Sequence, residues 1–544
     1  MAAITIRSMV VNAFLIYQLA VHFASASPLY AAKGGVHRRL FPAIETPSAV
    51  ILTPIAGSPT LLPIPTQTPT STPSETTSAT PSATPSLAFQ NFITRRGNKL
   101  YDGDQQFRFV SANTPGLLIS EDTPGIRWVV PPPYEQDDLM RSVAGIGGLV
   151  ARTYTLGVPY HIVGPGVYNE TGFVGMDNAI AAAGRNGVRL IVPLINENLS
   201  AGEENTFLIG AYRDLAAFRG LEADVFYTND TLRSDFKDTI TYVLNRVNTV
   251  TGIRYGDDPT ILAWQTGNEL GSWEKPPAPA DWLLDISTHI KSLSQSLVMD
   301  GTIGGSWRWQ GIDVPTIDIY DSHLYGTNDT KSLREDAAFA SLHGKVHVIG
   351  EYGLTDPVVY DTYMDENINN PNITGSLIWS LRGHANGGGL NVHSEGKNGT
   401  SNEYEIVSYH VPGLPPNIPD KIGPEETTVI ADLRRHALAI QNLPSTTPYP
   451  APIAPVLLTV TNGQLTWRGS AWAASYTVFR GNSTSFNGTE TPLAMGVLDN
   501  VSIGDVVTRG YLWADASFVA GMEVHYAVQA VGVGGDLSPL SNVI

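Results

Sequence analysis

Between Phe89 and Gln441 the chain alternates two textures. Short runs that are apolar on both faces are separated by stretches whose apolar residues recur every three to four positions. The first texture suits strands covered on both sides, the second amphipathic helices. Eight runs are predicted as strands: Phe107–Asn113, Gly147–Thr155, Val188–Asn196, Thr260–Asn268, Asp300–Ser306, Ile317–Tyr325, Lys345–Gly353 and Gly375–Leu381. Helices are predicted over Met176–Gly187, Asp235–Gly252, Asp281–Ser294 and Thr427–Gln441. Eight βα units over roughly 350 residues fit an α/β fold of the (β/α)8 TIM-barrel kind. An open doubly wound sheet would place a glycine-rich phosphate loop after its first strand. The sequence there is "SANTPG" (Ser111–Gly116), which does not match. "GIGGLV" (Gly145–Val150) precedes a strand instead of following one, so it is not such a loop either.

The pattern changes on both sides of this region. Arg7, the apolar stretch Met9–Val21 and Ala24-Ser25-Ala26 have the order of a secretory signal. The apolar stretch is short of the about 20 residues of a membrane span. Residues 1–26 are therefore read as a signal peptide of a secreted, extracellular protein; an uncleaved anchor is the alternative. Pro42–Pro85 is a Pro/Ser/Thr tract without the apolar residues of a core, so residues 27–88 are predicted as an extended linker, O-glycosylated or bare. Residues 89–443 form the barrel domain, and "LPSTTPYPAPIAP" marks a second linker at 444–455. Residues 456–544 alternate with period two in "QLTW", "SYTVFR" and "EVHYAVQAVGVGG", which predicts a β-sandwich with Trp467, Tyr476 and Tyr526 in its core.

Charge and composition narrow the class of partner. A formal charge of −18 in 544 residues disfavours nucleic acid and anionic membranes. The chain has no cysteine, so neither disulfides nor thiolate metal sites are available. No histidine pair lies at metal-ligand spacing on a predicted helix, and no cofactor is implied. Sequons at Asn169, Asn198, Asn229, Asn328, Asn372, Asn398, Asn482, Asn487 and Asn500 are glycosylation candidates behind a signal peptide. The mature protein is expected to be a monomer without a membrane partner.

In a barrel, residues at the C-terminal ends of the strands converge on one face. The polar residues there are Asn113, Arg152, Asn196, Asn268, Glu269, His323, Tyr325, Glu351 and Trp379. Two carboxylates stand out, Glu269 after the fourth strand and Glu351 after the seventh. Glycoside hydrolysis needs such a pair, one protonated to release the leaving oxygen and one ionised to attack or to activate water. Arg152 and Tyr325 are placed to donate to Glu351 and favour its charged form, and an ionised neighbour in a dry cleft raises the pKa of Glu269. Asn268 suits a sugar hydroxyl, and Trp379 the apolar face of a pyranose. Trp273, Trp307 and Trp309 fall on loops of the same face and are candidate sugar platforms; Asn196, Arg382, His384 and His393 are further candidate contacts. Each has a structural alternative: His323 as a satisfied core histidine, Tyr325 and Trp379 as packing aromatics, Arg152 as half of a structural ion pair.

The same residues carry a resemblance. "LAWQTGNELG" and "VIGEYGL" resemble the acid/base and nucleophile signatures of glycoside hydrolase family 5, and "VARTYT", "DSHLYG" and "LIWSLRGH" its Arg, His-x-Tyr and Trp positions, in order. "FITRRGNKLYDGDQQFRFVSAN" and "VLNRVNTVTGIRYGDDPTILAWQTGNEL" are most similar to fungal secreted endo-β-1,4-mannanase-type members. The resemblance implies a retaining glycosidase on a TIM barrel, with Glu269 as acid/base, Glu351 as nucleophile and a mannan-type polysaccharide as substrate. An exo-β-mannosidase or a β-glucanase on the same barrel is the alternative, and a non-catalytic carbohydrate-binding protein a third reading. One departure is Leu270, where many mannanase-type members have proline after Asn-Glu. The tail resembles a fibronectin type III domain in its early Trp and its Y-x-V-x-A-V ending.

Overall fold

The structure, a computed structural model, describes residues 88–121, 128–197, 211–271, 276–325, 328–396, 404–406, 408–413 and 426–544. The predicted signal peptide, all but the last residue of the first linker, and Trp273 lie outside the described residues.

Eight parallel strands close into a barrel: β1 (Phe109–Asn113), β2 (Val150–Arg152), β3 (Arg189–Pro193), β4 (Ile261–Gln265), β5 (Leu297–Met299), β6 (Ile319–Tyr325), β7 (Val346–Gly353) and β8 (Ile373–Ile378). Each pairs with its sequence neighbours, and β8 pairs with β1. Most of the strands are buried along their whole length, which is why their sequences read as continuous apolar runs. Helices α1 (Pro133–Gly145), α2 (Glu170–Arg185), α3 (Asp230–Asn245), α4 (Ala280–Leu293), α5 (Thr330–Leu342), α6 (Pro357–Asn369) and α7 (Glu426–Ala439) follow the strands. Asn169 and Asn229 cap α2 and α3, their side chains accepting from backbone N–H groups of the first turn.

The fifth strand is a correction. Expected over Asp300–Ser306, it is Leu297–Met299, and Asp300–Ser306 forms the loop beyond it. That loop needs its glycines: a Cβ on Gly301 would lie 2.2 Å from the Gly267 carbonyl oxygen. Only a 3-10 turn, Ser306–Arg308, stands between β5 and β6.

A three-stranded antiparallel sheet, Ile93–Arg96, Lys99–Asp102 and Gln105–Phe107, precedes the barrel. Its Ile93, Leu100 and Phe107 share a core with Phe109, Val150, Leu297, Ile319 and Val346 at the strand starts. It therefore plugs the N-terminal end and leaves the other end open.

The tail consists of two antiparallel sheets. One holds β9 (Val456–Thr461), β10 (Gln464–Arg468) and β13 (Trp513–Ala514); the other holds β11 (Ala473–Gly481), β12 (Ala494–Val497), β14 (His525–Gly532) and β15 (Leu537–Leu540). Trp467, Tyr476 and Tyr526 are fully buried in their shared core. Asn500 is 1 % exposed, so this sequon has no room for a glycan in the folded protein.

The tail packs directly on the barrel. The segment read as a linker is irregular but pinned, with Thr447 and Pro448 carbonyls accepting from Arg434 of α7. The Arg434 guanidinium lies over the rings of Tyr449 and Trp472. Trp472 donates to the Arg141 carbonyl and presses on Gly145, where a Cβ would lie 1.8 Å from its ring nitrogen. The loop leaving β8 is held from the same side. Leu390 exchanges backbone bonds with Val501 and Ile503, and Arg468 donates to Asn386 O.

His384 lies at the centre of this contact, which corrects its reading as a substrate contact. Its Nδ1 donates to Asp138 of α1 at 2.9 Å and its Nε2 lies 3.1 Å from Asp499 Oδ2 of the tail, all three side chains being buried. Burial alone would lower the His384 pKa, but the two carboxylates raise it to about 10. The stabilisation is complete below the unfolded-state value of about 6.5 and is lost as pH rises through about 10. Asp499→Ala strands part of a buried ion group and is expected to cost about 3 kcal/mol, read as a lower urea midpoint near neutral pH. An unchanged midpoint would show that the triad does not hold the tail to the barrel.

Candidate active site

Arg152, the last residue of β2, is 1 % exposed and organises the open end of the barrel. Its Nε donates to Gln265 Oε1 (2.9 Å), its Nη1 to Glu351 Oε1 (2.6 Å) and Asn113 Oδ1 (3.2 Å), and its Nη2 to Asn268 Oδ1 (2.6 Å). One guanidinium thus orients residues from β1, β4 and β7 through its planar fork, a task a lysine could not perform. Asn113 in turn donates to Gly350 O and Leu377 O, and Asn268 Nδ2 donates to Asn196 Oδ1 at 3.0 Å.

Glu351 is buried on β7. Besides Arg152 it accepts from the Tyr325 hydroxyl at the end of β6. His323, its register partner on β6, lies 3.5 Å from Oε2. Burial pushes the Glu351 carboxyl above its ordinary value, against the pull of His323 and Arg152; the Glu269 charge adds to the push and the Tyr325 bond opposes it. Arg152 and Tyr325 do pull toward the charged form, as expected, but burial outweighs them.

Glu269 has 20 % of its side chain exposed, and its Oε1 accepts from His323 Nδ1 at 2.9 Å. One carboxylate oxygen of Glu269, one of Glu351 and a His323 nitrogen lie within 4.8 Å of one another. Glu269 adopts φ = 53°, a left-handed conformation that costs a non-glycine residue about 1 kcal/mol. Backbone bonds on either side hold it there: Asn268 N–H donates to Ile195 O (2.6 Å) and Leu270 N–H to Gly301 O (2.8 Å).

The second bond accounts for Leu270. Proline has no N–H to give Gly301, and the fully buried Leu270 side chain packs against Gly267. Leu270→Pro is expected to destabilise the protein by about 3 kcal/mol, from an orphaned carbonyl and lost packing, as measured by urea unfolding. A midpoint within error of the parent would contradict this reading.

Trp379, immediately after β8, is only 6 % exposed; its ring meets Tyr154 at 5.6 Å, and its backbone N–H donates to Tyr352 O. Asn196 is buried beside Asn268, and among the described residues its Nδ2 has no hydrogen-bond partner. Trp307 is 68 % exposed on the 3-10 turn after β5, beneath the Arg308 guanidinium, and Arg308 donates to Gly271 O next to the Glu269 loop. Trp309 packs in the core against Tyr320 and Phe339, which removes it as a platform. Arg382 and His393 are buried in the β8 loop. Gln265 and Asp321, both buried within strands, join the network without having been singled out in the sequence.

Among the described residues two clusters have metal-ligand spacing: Glu269, His323 and Glu351, and Asp361, Asp365 and His436. In each, an arginine already occupies a carboxylate, Arg152 on Glu351 and Arg435 on Asp361. No helix among the described residues is long and apolar enough to cross a membrane.

A family model described as GH family 5 beta-mannosidase-like matches residues 140–330. That stretch holds Arg152, Asn268, Glu269, His323 and Tyr325 and ends before Glu351. Mannan endo-1,4-beta-mannosidase 4 of Oryza sativa subsp. japonica is 35 % identical over 185 residues, 33 % of this chain and 39 % of that protein. Mannan endo-1,4-beta-mannosidase 1 of Arabidopsis thaliana is 29 % identical over 213 residues, 38 % of this chain and 49 % of that protein. The match thus spans less than half the length of these curated relatives. The endo-beta-1,4-mannanase structure from Thermotoga petrophila is 19 % identical, with a TM-score of 0.48, over 81 % of this chain and 98 % of that one. The half of the barrel that carries Arg152, Asn268 and Glu269 is therefore similar in sequence to family 5 glycoside hydrolases of the beta-mannosidase-like kind.

Proposed function

We propose that the chain is a retaining β-glycosidase of family 5 that hydrolyses β-1,4-mannan within the polymer. The observation that carries this reading is the carboxylate pair. Glu269 and Glu351 have oxygens within 4.8 Å of each other, on the side of the ~5–5.5 Å spacing of retaining enzymes and short of the ~6.5–9.5 Å that leaves room for an inverting water. The names of the curated relatives supply the sugar.

In the first step a Glu351 oxygen attacks the anomeric carbon, and the glycosidic C–O bond breaks as Glu269 gives its proton to the departing oxygen. In the second, Glu269 takes a proton from water, the oxygen of that water attacks the same carbon, and the Glu351 ester bond breaks. Arg152 and Tyr325 hold Glu351 in line and receive its charge back on release. The exposed faces near Trp307 and the amide of Asn196 are the proposed sugar contacts, with Asn268 oriented toward the 2-hydroxyl.

The family description as beta-mannosidase-like, together with a long β8 loop braced by the tail, favours one second reading, an exo-β-mannosidase. Incubation with mannan, glucomannan, cellulose and β-1,3-glucan, with products sized over time, separates the two. A ladder of manno-oligosaccharides is expected; mannose alone indicates exo-action, and release from cellulose or β-1,3-glucan but not mannan would overturn the substrate. The tail is proposed to be a fibronectin type III-like sandwich, supported by its two antiparallel sheets around Trp467, Tyr476 and Tyr526. Secretion behind a cleaved signal, N-glycosylation at the exposed Asn328, Asn482 and Asn487, and a monomeric state complete the proposal.

A further inference from the structure

Asp321 lies two residues before His323 on β6, buried, and the double displacement makes no direct use of it. Its Oδ2 accepts from His323 Nε2 and from Gln265 Nε2, both at 3.2 Å. The other nitrogen of that imidazole faces Glu269 Oε1 at 2.9 Å. The β7 backbone is pressed onto the carboxylate: a Cβ on Gly350 would lie 2.3 Å from Asp321 Oδ2.

We propose that Asp321 is a positioning residue that holds the charged His323 imidazole against Glu269 and whose own negative charge beside that imidazole leaves Glu269 able to hold the proton it donates. This rests on the reading of Glu269 as the acid. The charges involved belong to one cluster at the open end of the barrel. Arg152 and His323 are the cations; Glu351, Asp321 and Glu269 are the carboxyl groups. Two cations balance two anions, so the third carboxyl is the one that keeps a proton. Arg152 pairs with Glu351 at 2.6 Å, while His323 is shared among Glu269 at 2.9 Å, Asp321 at 3.2 Å and Glu351 at 3.5 Å; on the reading of Glu269 as the acid, it is the carboxyl that keeps the proton. Without Asp321 the balanced state has Glu269 ionised, or His323 gives up its proton instead. Either way the productive arrangement, charged His323 with protonated Glu269, is lost at a lower pH. The raised His323 pKa, about 10 against the opposing effect of burial, agrees with this count.

Other groups face Asp321 from neighbouring elements. Gln265 on β4 is neutral. His347 on β7 is held neutral by burial, its pKa lowered to about 4. Asp336 on α5 accepts from Ser322. Asp300, beyond β5, is raised to about 7 chiefly by burial, with Asp321 adding to it. In Asp321→Asn, Asp300 ionises more readily and partly refills the missing charge, which limits the displacement.

The test is kcat/KM against pH on a manno-oligosaccharide for the full chain and for Asp321→Asn. The alkaline limb is expected to move down by about one pH unit. Turnover of dinitrophenyl β-mannobioside, whose leaving group needs no proton, is expected to stay within several-fold of the parent. A uniform loss on both substrates with the limb unmoved would reduce Asp321 to a structural role and overturn the proposal. A second readout needs no variant: imidazole nitrogen resonances of His323 at pH 8 should show both nitrogens protonated, and a neutral tautomer would also overturn it. Glu269→Gln separates the two layers. Full oligosaccharide turnover in that variant defeats the acid assignment itself, whereas its loss beside an unmoved limb in Asp321→Asn defeats the Asp321 proposal alone.

Discussion

Glu351→Gln is expected to lower kcat/KM on mannan and on aryl mannosides by about 10⁴-fold or more, about 5.4 kcal/mol of transition-state stabilisation. The amide is nearly isosteric, but it is a far poorer nucleophile and forms no glycosyl ester that water readily hydrolyses. The loss should not depend on the leaving group, because the attacking atom itself is impaired. The fold should survive. Arg152 keeps its bonds to Gln265, Asn113 and Asn268, and Glu269 can ionise to restore the charge balance around Arg152 and His323. Far-UV circular dichroism identical to the parent, beside lost turnover, is the expected pair of results. Activity within tenfold of the parent would remove Glu351 from the reaction. The pH dependence follows from the same site. Glu351 must be ionised to attack, and burial raises its pKa, so activity on the acid side fails at a pH above the ordinary glutamate range.

Glu269→Gln is expected to behave differently. The loss of general acid catalysis costs about 10²–10⁴-fold on a manno-oligosaccharide, whose leaving oxygen needs a proton. On dinitrophenyl β-mannobioside the first step is spared, but water attack in the second step lacks its base. The covalent intermediate therefore accumulates as a burst followed by slow turnover. Azide, which needs no base, should restore turnover and give a β-glycosyl azide. Equal losses on both leaving groups, with no rescue by azide, would show that Glu269 is not the proton donor.

Much of the barrel was legible because doubly covered strands cannot hide: β1–β4 and β6–β8 coincide with apolar runs. β5 was misplaced because three residues, Leu297–Met299, give too short a run, and the glycine-rich segment after it imitated a strand edge. The tail's contact with the barrel was not legible. His384, Asp138 and Asp499 are far apart in the sequence, and each alone looks like an ordinary polar residue.

In the site, residues at the rim were found because each lies in the last few residues of a predicted strand or just beyond it. Asp321 and Gln265 were missed because they lie within the runs. The available signal was a charged or amide group in an otherwise buried strand, at a cost that only a partner can offset. Period two would have sharpened it, since Asp321 and His323 are two apart on β6 and meet through one imidazole. Leu270 shows the converse. As a departure from Asn-Glu-Pro it reads as a weakness, whereas in three dimensions its N–H is one of the bonds that hold Glu269 in a left-handed conformation.

The central claim is that Glu351 carries a glycosyl ester while Glu269 handles the proton. It is tested most directly by treating the full chain with 2-deoxy-2-fluoro-β-mannosyl fluoride and mapping the adduct by peptide mass spectrometry. A single fluoromannosyl group on the peptide containing Glu351, absent in Glu351→Gln, is the predicted result. Inactivation with the label on any other residue, or hydrolysis of mannan to products first formed as the α-anomer, would contradict it.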